Sequence, residues 1–224
     1  MRTSNRLART RRGFTLLETT LAMVIVMVGV LAMIEAQGGF IRSNSWSSHE
    51  ATATYLANEI RERMRVLPRH DPVSGLTVVT GGSGQPQAQG VGRENGEVTV
   101  LDFDDIDDYD GVAFGQNGNF DGPIDGFGTI IPETDINGVV QIDPQTNQPL
   151  PLQGWTQSVS VEKVDPYDFS VSRAWVFSEP ANGSFPGRAV DRYPLRVTVS
   201  VSYQGPLDPQ AEVVTTMSWI VPAN

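Results

Sequence analysis

Cysteine is missing from all 224 residues, which rules out a disulfide framework, a thiolate zinc site and a cysteine nucleophile. Its absence leaves the compartment open, since exported proteins also do without disulfides. Histidine is nearly missing: His49 and His70 are the only two, and neither sits in a metal-ligand spacing such as H-E-x-x-H. Both read as surface residues, His49 on a helix and His70 just past its end. Phosphate-cradling and dinucleotide glycine patterns are lacking, and "GGSGQ" (81–85) misses the second outer glycine of G-x-S-x-G. Positive charge is scarce. With 16 Lys and Arg against 26 Asp and Glu the net charge is −10, which argues against general nucleic-acid binding. Proline is absent between Phe14 and Leu67, so a helix can run there without a proline kink.

What positive charge there is lies unevenly. Residues 1–13 hold five arginines (Arg2, Arg6, Arg9, Arg11, Arg12) and no acid, leaving 11 basic against 26 acidic residues in the remainder. A basic start before an acidic body suggests that the two face opposite sides of a membrane. Between them, Phe14 to Ile34 is 21 residues long with Glu18 as its only charge. As a helix this reaches roughly 31 Å, about one hydrocarbon thickness. A signal anchor fits, with the arginines cytoplasmic and everything after Glu35 outside. A cleaved secretory signal fits poorly, because "LAMIEAQGG" puts bulky Ile34 two places before Ala36 where a small residue is wanted. Glu18 is the oddity, since a carboxylate in hydrocarbon is costly unless paired or lifted to the interface.

The stretch "RRGFTLLETTLAMVIVMVGVLAM" resembles the class III signal of type IV pilins and type II secretion pseudopilins. The resemblance implies that a prepilin peptidase cuts after Gly13 and N-methylates the new terminus, Phe14, so the apolar helix is retained. The new α-amine would stand near Glu18 and neutralise it, within one helix or between neighbouring subunits of a filament. Such a pair would check the register of assembly; the plainer alternative is that Glu18 snorkels to the headgroups. The chain would then be a substrate of the peptidase and not an enzyme. Its partners would be the peptidase, other pilins or pseudopilins and an inner-membrane assembly platform.

Beyond a soft break at Gly38-Gly39, helical periodicity resumes. Ala53, Leu56, Ile60, Met64 and Leu67 recur at spacings of 3 or 4, a stripe suited to lying on a sheet. Glu59 and Arg63 form an i,i+4 pair expected on the wet side, and Pro68 ends the helix. The segment "YLANEIRERM" is similar to PilV-type minor pilins. Residues 68–154 hold 15 of the 22 glycines and 8 of the 15 prolines, so turns dominate. Short strands are expected at "LTVVT" (76–80) and "EVTVLDF" (97–103), with "GGSGQPQAQGVG" as an exposed loop. In the last third, Leu195, Val197, Val199, Val201 and Tyr203 alternate with polar residues, as do Val213, Thr215, Met217, Trp219 and Val221. These should form a hairpin, with "WTQSVSVEKV" and "SVSRAWVFS" as a preceding pair. The expected fold is α+β and pilin-like. It comprises a leader (1–13), a membrane or filament-core helix (14–40), an amphipathic continuation (41–67), a loop region (68–154) and an antiparallel sheet (155–224).

One acidic stretch stands out: "LDFDDIDDYDGVAFGQNGNFDGPIDGFG" carries eight aspartates among glycines. Like charges at that density are solvated, matched by a partner, or neutralised by a cation. Ca²⁺, with its six to eight oxygen ligands, is the cation that suits them, through Asp104, Asp107, Asp108 and Asp110. An EF-hand does not fit, because Ile106 and Asn117 fall at the first and last ligand places. "DDIDDYDG" is also similar to a stretch in some minor pilins, including the MSHA-type. The missing C-terminal cysteine pair and the missing helix proline depart from major pilins and favour a minor subunit. The sequon "NGS" at Asn182 carries little weight beside a bacterial-type signal. The expectation is therefore a minor type IV pilin of the bacterial inner membrane, leader cytoplasmic and body periplasmic. A type II secretion pseudopilin comes next, then a signal-anchored periplasmic binding protein or hydrolase.

Overall fold

A computed structural model describes residues 15–82 and 84–223. One helix, α1, runs Leu16–Met64, and the chain divides into two compact units between Ser48 and His49. The α+β class is as expected, with a long N-terminal apolar helix and a C-terminal antiparallel sheet.

In the first unit the large apolar side chains from Leu16 to Ile34 are 52% to 83% exposed. This stretch is long and apolar enough to cross a membrane. Gly29, Gly38 and Gly39 all lie within the helix, so the soft break expected at 38–39 does not interrupt it.

The second unit contains the core. Ala53, Leu56, Ala57, Ile60 and Met64 on α1 are fully buried, which is the expected stripe with Ala57 added. Leu67 lies past the helix end and is half-buried against the same core. The sheet order is β3-β4-β5-β6, with β3 at Ala113–Gly115, β4 at Trp155–Lys163, β5 at Leu195–Tyr203 and β6 at Glu212–Val221, all antiparallel. Trp155, Val159 and Val161 of β4 share the core with Leu195, Val197, Val199 and Val201 of β5. Hydroxyl pairs, Thr198 with Ser218 and Ser200 with Thr216, line the other face of β5 and β6. The edge strand β3 approaches so closely that a Cβ at Gly115 would overlap the Trp155 carbonyl oxygen, and Gly115 sits at φ +122°.

Four local expectations are corrected. The alternation of β6 shifts at a bulge opposite Val201 and Ser202: Thr215 pairs with Val201 but Val213 with Ser202, so Val214 packs on the core and Val213 is exposed. "EVTVLDF" forms no strand, because the Asp102 carboxylate accepts the N–H groups of Val98 and Thr99 and folds the segment into a turn. The glycine loop holds a strand, β2 (Pro86–Gln89), paired with β1 (Thr77–Thr80). "SVSRAWVFS" is not a strand either. It meets the end of the preceding segment only at one antiparallel bridge, Ser172 with Val164. After that its carbonyls at Trp175 and Phe177 accept from Lys163 Nζ at 2.9 and 2.6 Å, and β4 pairs along its length with β5. Lys163 is the single lysine of the chain and is 1% exposed, with its ammonium 4.5 Å from the Tyr193 ring centroid. Desolvation pushes it down to about 8.

Gln157 ties helix, loop and sheet together. It faces inward from β4 with no exposure. Its Nε2 donates to the carbonyls of Leu56 and Ile124 at 2.8 and 3.0 Å, and its Oε1 accepts the Ile124 N–H at 2.8 Å. Gln157→Leu keeps the bulk but strands buried backbone groups, at a cost of about 2–3 kcal/mol. Urea unfolding of the detergent-solubilised chain should show that loss, while Ser200→Ala on the outer face stays within about 0.5 kcal/mol of the parent.

Candidate functional site

Two regions carry the residues singled out from sequence. At the start of α1, Gly13 and Phe14 lie outside the described residues, and with them the cleavage point, the methylated terminus and the amine of the proposed charge pair. Glu18 is described. Its Oε2 accepts the Thr15 N–H at 3.4 Å, and its own N–H donates to Thr15 Oγ1 at 3.3 Å. This reciprocal pair is a capping box, with Thr15 at the N-cap and Glu18 three residues on. The T-x-x-E spacing is legible in "TLLE", and the cap explains locally why a carboxylate suits this place. It supplies N–H dipoles but no countercharge.

The second region is the acidic stretch, where the structure sorts carboxylates by task. Asp102 caps a turn, and Asp125 Oδ1 accepts the N–H groups of Phe127 and Thr129. Asp110 Oδ1 accepts the Val161 N–H at 2.9 Å and so joins the loop to β4. Asp107 is buried, with Oδ2 2.5 Å from His70 Nδ1 and Oδ1 accepting from the Gly92 N–H. Burial raises the Asp107 carboxyl, and the hydrogen bond to His70 opposes that rise. Of the four aspartates expected to hold Ca²⁺, Asp107 and Asp110 thus have other partners, while Asp104 and Asp108 come together with Asp105. Carboxylate oxygens of Asp104, Asp105 and Asp108 lie within 4.8 Å of one another, and those of Glu94, Glu97 and Asp108 do the same.

Sequence reasoning missed Asp105, Glu94, Glu97 and His70. The glutamates stand about ten residues upstream in an unremarkable "RENGE", and only the returning chain brings them to Asp108. His70, expected at the surface, has a side chain 8% exposed and packs edge-on to Trp175. His49 sits against the rings of Trp155 and Tyr203 and is half-buried. Glu59 and Arg63 are not on a wet face either. Glu59 Oε2 accepts the Gly126 N–H, and Arg63 donates to Tyr109 Oη and the Val100 carbonyl, so both fasten the loop region to the helix.

The electrostatics of the cluster follow from crowding. Asp105 and Asp108 are 0% and 1% exposed. Asp105 Oδ1 accepts the N–H groups of Asp107 and Asp108, and Asp108 Oδ2 those of Asp104 and Asp105. The other oxygen of each, Asp105 Oδ2 and Asp108 Oδ1, is buried with no hydrogen-bond partner among the described residues, as is Glu94 Oε2. Desolvation, then neighbouring carboxylates, push Asp105 up to about 9. Desolvation is likewise the main cause that lifts Asp108 and Glu94 to about 7.

No family model, curated protein or solved structure matches this chain.

The raised acids have a consequence for the metal-free protein. Unfolded aspartate and glutamate release their protons near roughly pH 4. The folded chain holds these protons to higher pH, so its stability falls as the pH rises through the window from about 4 to about 9. Asp102, Asp135 and Asp143, lowered by backbone N–H groups of their own turns, act the other way only at more acid pH. In chelator, the melting temperature should drop between about pH 5 and about pH 8, and Asp105→Asn should remove the largest share of that slope.

Proposed function

We propose that this chain is a minor type IV pilin, cut after Gly13, N-methylated at Phe14 and assembled through its N-terminal helix into a pilus. The observation that carries the reading is the helical run from Leu16 to Ile34. Its large side chains are apolar and exposed, its one charge is Glu18, and it follows directly on "GFT". An apolar surface of that length has no place in water and suits lipid before assembly or a bundle of like helices after it. The amphipathic second part of α1 and the four-stranded sheet are the parts expected of a pilin-like fold.

In this reading the basic leader stays cytoplasmic, and the residues after Glu35 face the periplasm of the bacterial inner membrane. The peptidase removes the leader, and the assembly platform lifts the subunit towards its neighbours. Glu18 leaves the headgroup region at that step and needs a cation. The amine of Phe14, on the same or a neighbouring subunit, supplies one. Subunits out of step by a residue would leave both ions unpaired in an apolar medium, at several kcal/mol.

Mass spectrometry of the mature protein from its host should find N-methylphenylalanine, residue 14, at the terminus. An intact arginine-rich head, or a product lacking the apolar helix, overturns the proposal. Recovery only in the envelope and never in sheared pili transfers the chain to the pseudopilin reading. Glu18→Gln retains the capping acceptor and removes the charge, so it separates the two roles of this residue. Its incorporation should fall at least about tenfold with cleavage unchanged, a loss of about 1.4 kcal/mol. Incorporation at the parental level would dismiss the charge pair.

A further inference from the structure

We propose that Glu94, Glu97, Asp104, Asp105 and Asp108 form a calcium site centred on Asp108, the residue common to both carboxylate triads. Acidic clusters on protein surfaces are ordinary and need no ion. The difference lies in the two oxygens of Asp105 and Asp108 described above, which are fully buried and meet no donor among the described residues. A buried acceptor left unmatched is rare in a folded protein and points to something that completes it. Hydrogen bonds hold both carboxylates in place through their other oxygens, so neither is free to turn towards water.

The chemistry of the donor set selects the occupant. The charges that bear most on Glu94, Asp104, Asp105 and Asp108 are other carboxylates, so the site is negative and all oxygen. Oxygens within 4.8 Å of one another can share one ion at the 2.3–2.6 Å typical of Ca²⁺. Zinc prefers nitrogen and sulfur, and the nearby His70 is already engaged by Asp107. Magnesium demands a regular octahedron and keeps its waters, whereas calcium accepts an irregular set of carboxylates. Asp104 is exposed, which gives an ion a way in.

Occupancy would affect the structure beyond the loop. Ile106 N–H donates to the Pro68 carbonyl four residues past the end of α1, Tyr109 Oη accepts from Arg63, and Asp110 holds Val161 on β4. A cation at Asp108 therefore braces the junction of helix, loop and sheet. The site does not depend on the pilin reading, and either can fail without the other.

The test uses the full chain in detergent, stripped with chelator and titrated with CaCl2 by calorimetry, with melting followed in parallel. Saturable binding near one ion per chain should appear, with a rise in melting temperature of about 5 °C or more. Asp108→Asn should abolish both and melt above the metal-free parent, because it removes a buried like charge. Asp135→Asn, in an exposed turn, should bind as the parent does. If Asp108→Asn does not fold, Glu97→Gln at the half-buried rim carries the same test with at least a tenfold weaker affinity. No heat and no shift in the parent, unchanged binding in Asp108→Asn or Glu97→Gln, or magnesium binding as tightly as calcium would each overturn the proposal.

Discussion

Charge taken out of water has to be matched, and the second unit is organised around that requirement. Lys163 is the plainest case. Burying an ammonium costs several kcal/mol, and the chain offsets this by bending the segment after β4 so that two carbonyls and the Tyr193 ring face Nζ. That bend leaves β4 to pair with β5, which sets the order of the sheet. Gln157, six residues earlier on the same strand, plays the uncharged counterpart. A carboxamide with donors and acceptor satisfies a helix carbonyl and both backbone groups of Ile124, where a leucine would satisfy none.

The acidic loop obeys the same rule with two members left over. Asp107 has an imidazole and an N–H, Asp110 has the N–H of Val161, and Asp102 and Asp125 have their own turns. Asp105 and Asp108 are matched on one side only. Among the described residues three acids are fully buried, and Asp107 alone of these has both oxygens matched, so the gap at Asp105 and Asp108 is informative. Protons can fill the gap at low pH, but each serves one oxygen. A divalent ion serves several at once and cancels the mutual repulsion.

Elements whose pattern is local were legible in the sequence. Leu195 to Val201 alternate because each residue answers only to its own strand, and the stripe from Ala53 to Met64 follows from helical spacing alone. Features set by distant partners were not. Val213 looks inward by period, yet a bulge inserted against Val201 and Ser202 turns it out. Residues 170–178 have the composition of a strand, and the Lys163 ammonium claims two of their carbonyls. The acids of the loop could be counted but not sorted. Sorting required His70, 37 residues before Asp107, and Glu94 and Glu97, whose approach to Asp108 depends on how the intervening turns close. Glu59 and Arg63 looked like a solvated i,i+4 pair because nothing in their spacing reports the loop that covers them.

Glu18 shows how magnitude separates two explanations that a sequence motif merges. As the third residue of a capping box it satisfies an N–H that the first turn of any helix leaves open, a contribution of about 1 kcal/mol. That is enough to explain a carboxylate at a helix start in water. It falls short in an apolar surround, where the unpaired ion costs several kcal/mol even after relaxation. After Thr19 and Thr20, the helix that follows Glu18 presents only apolar residues from 21 to 34, about four turns. If this helix enters lipid or a bundle of like helices, as proposed, the cap alone cannot carry the charge. Either Glu18 stays at the headgroup level, or a cation accompanies it inward. The first option confines the helix to the membrane, and a filament requires the second.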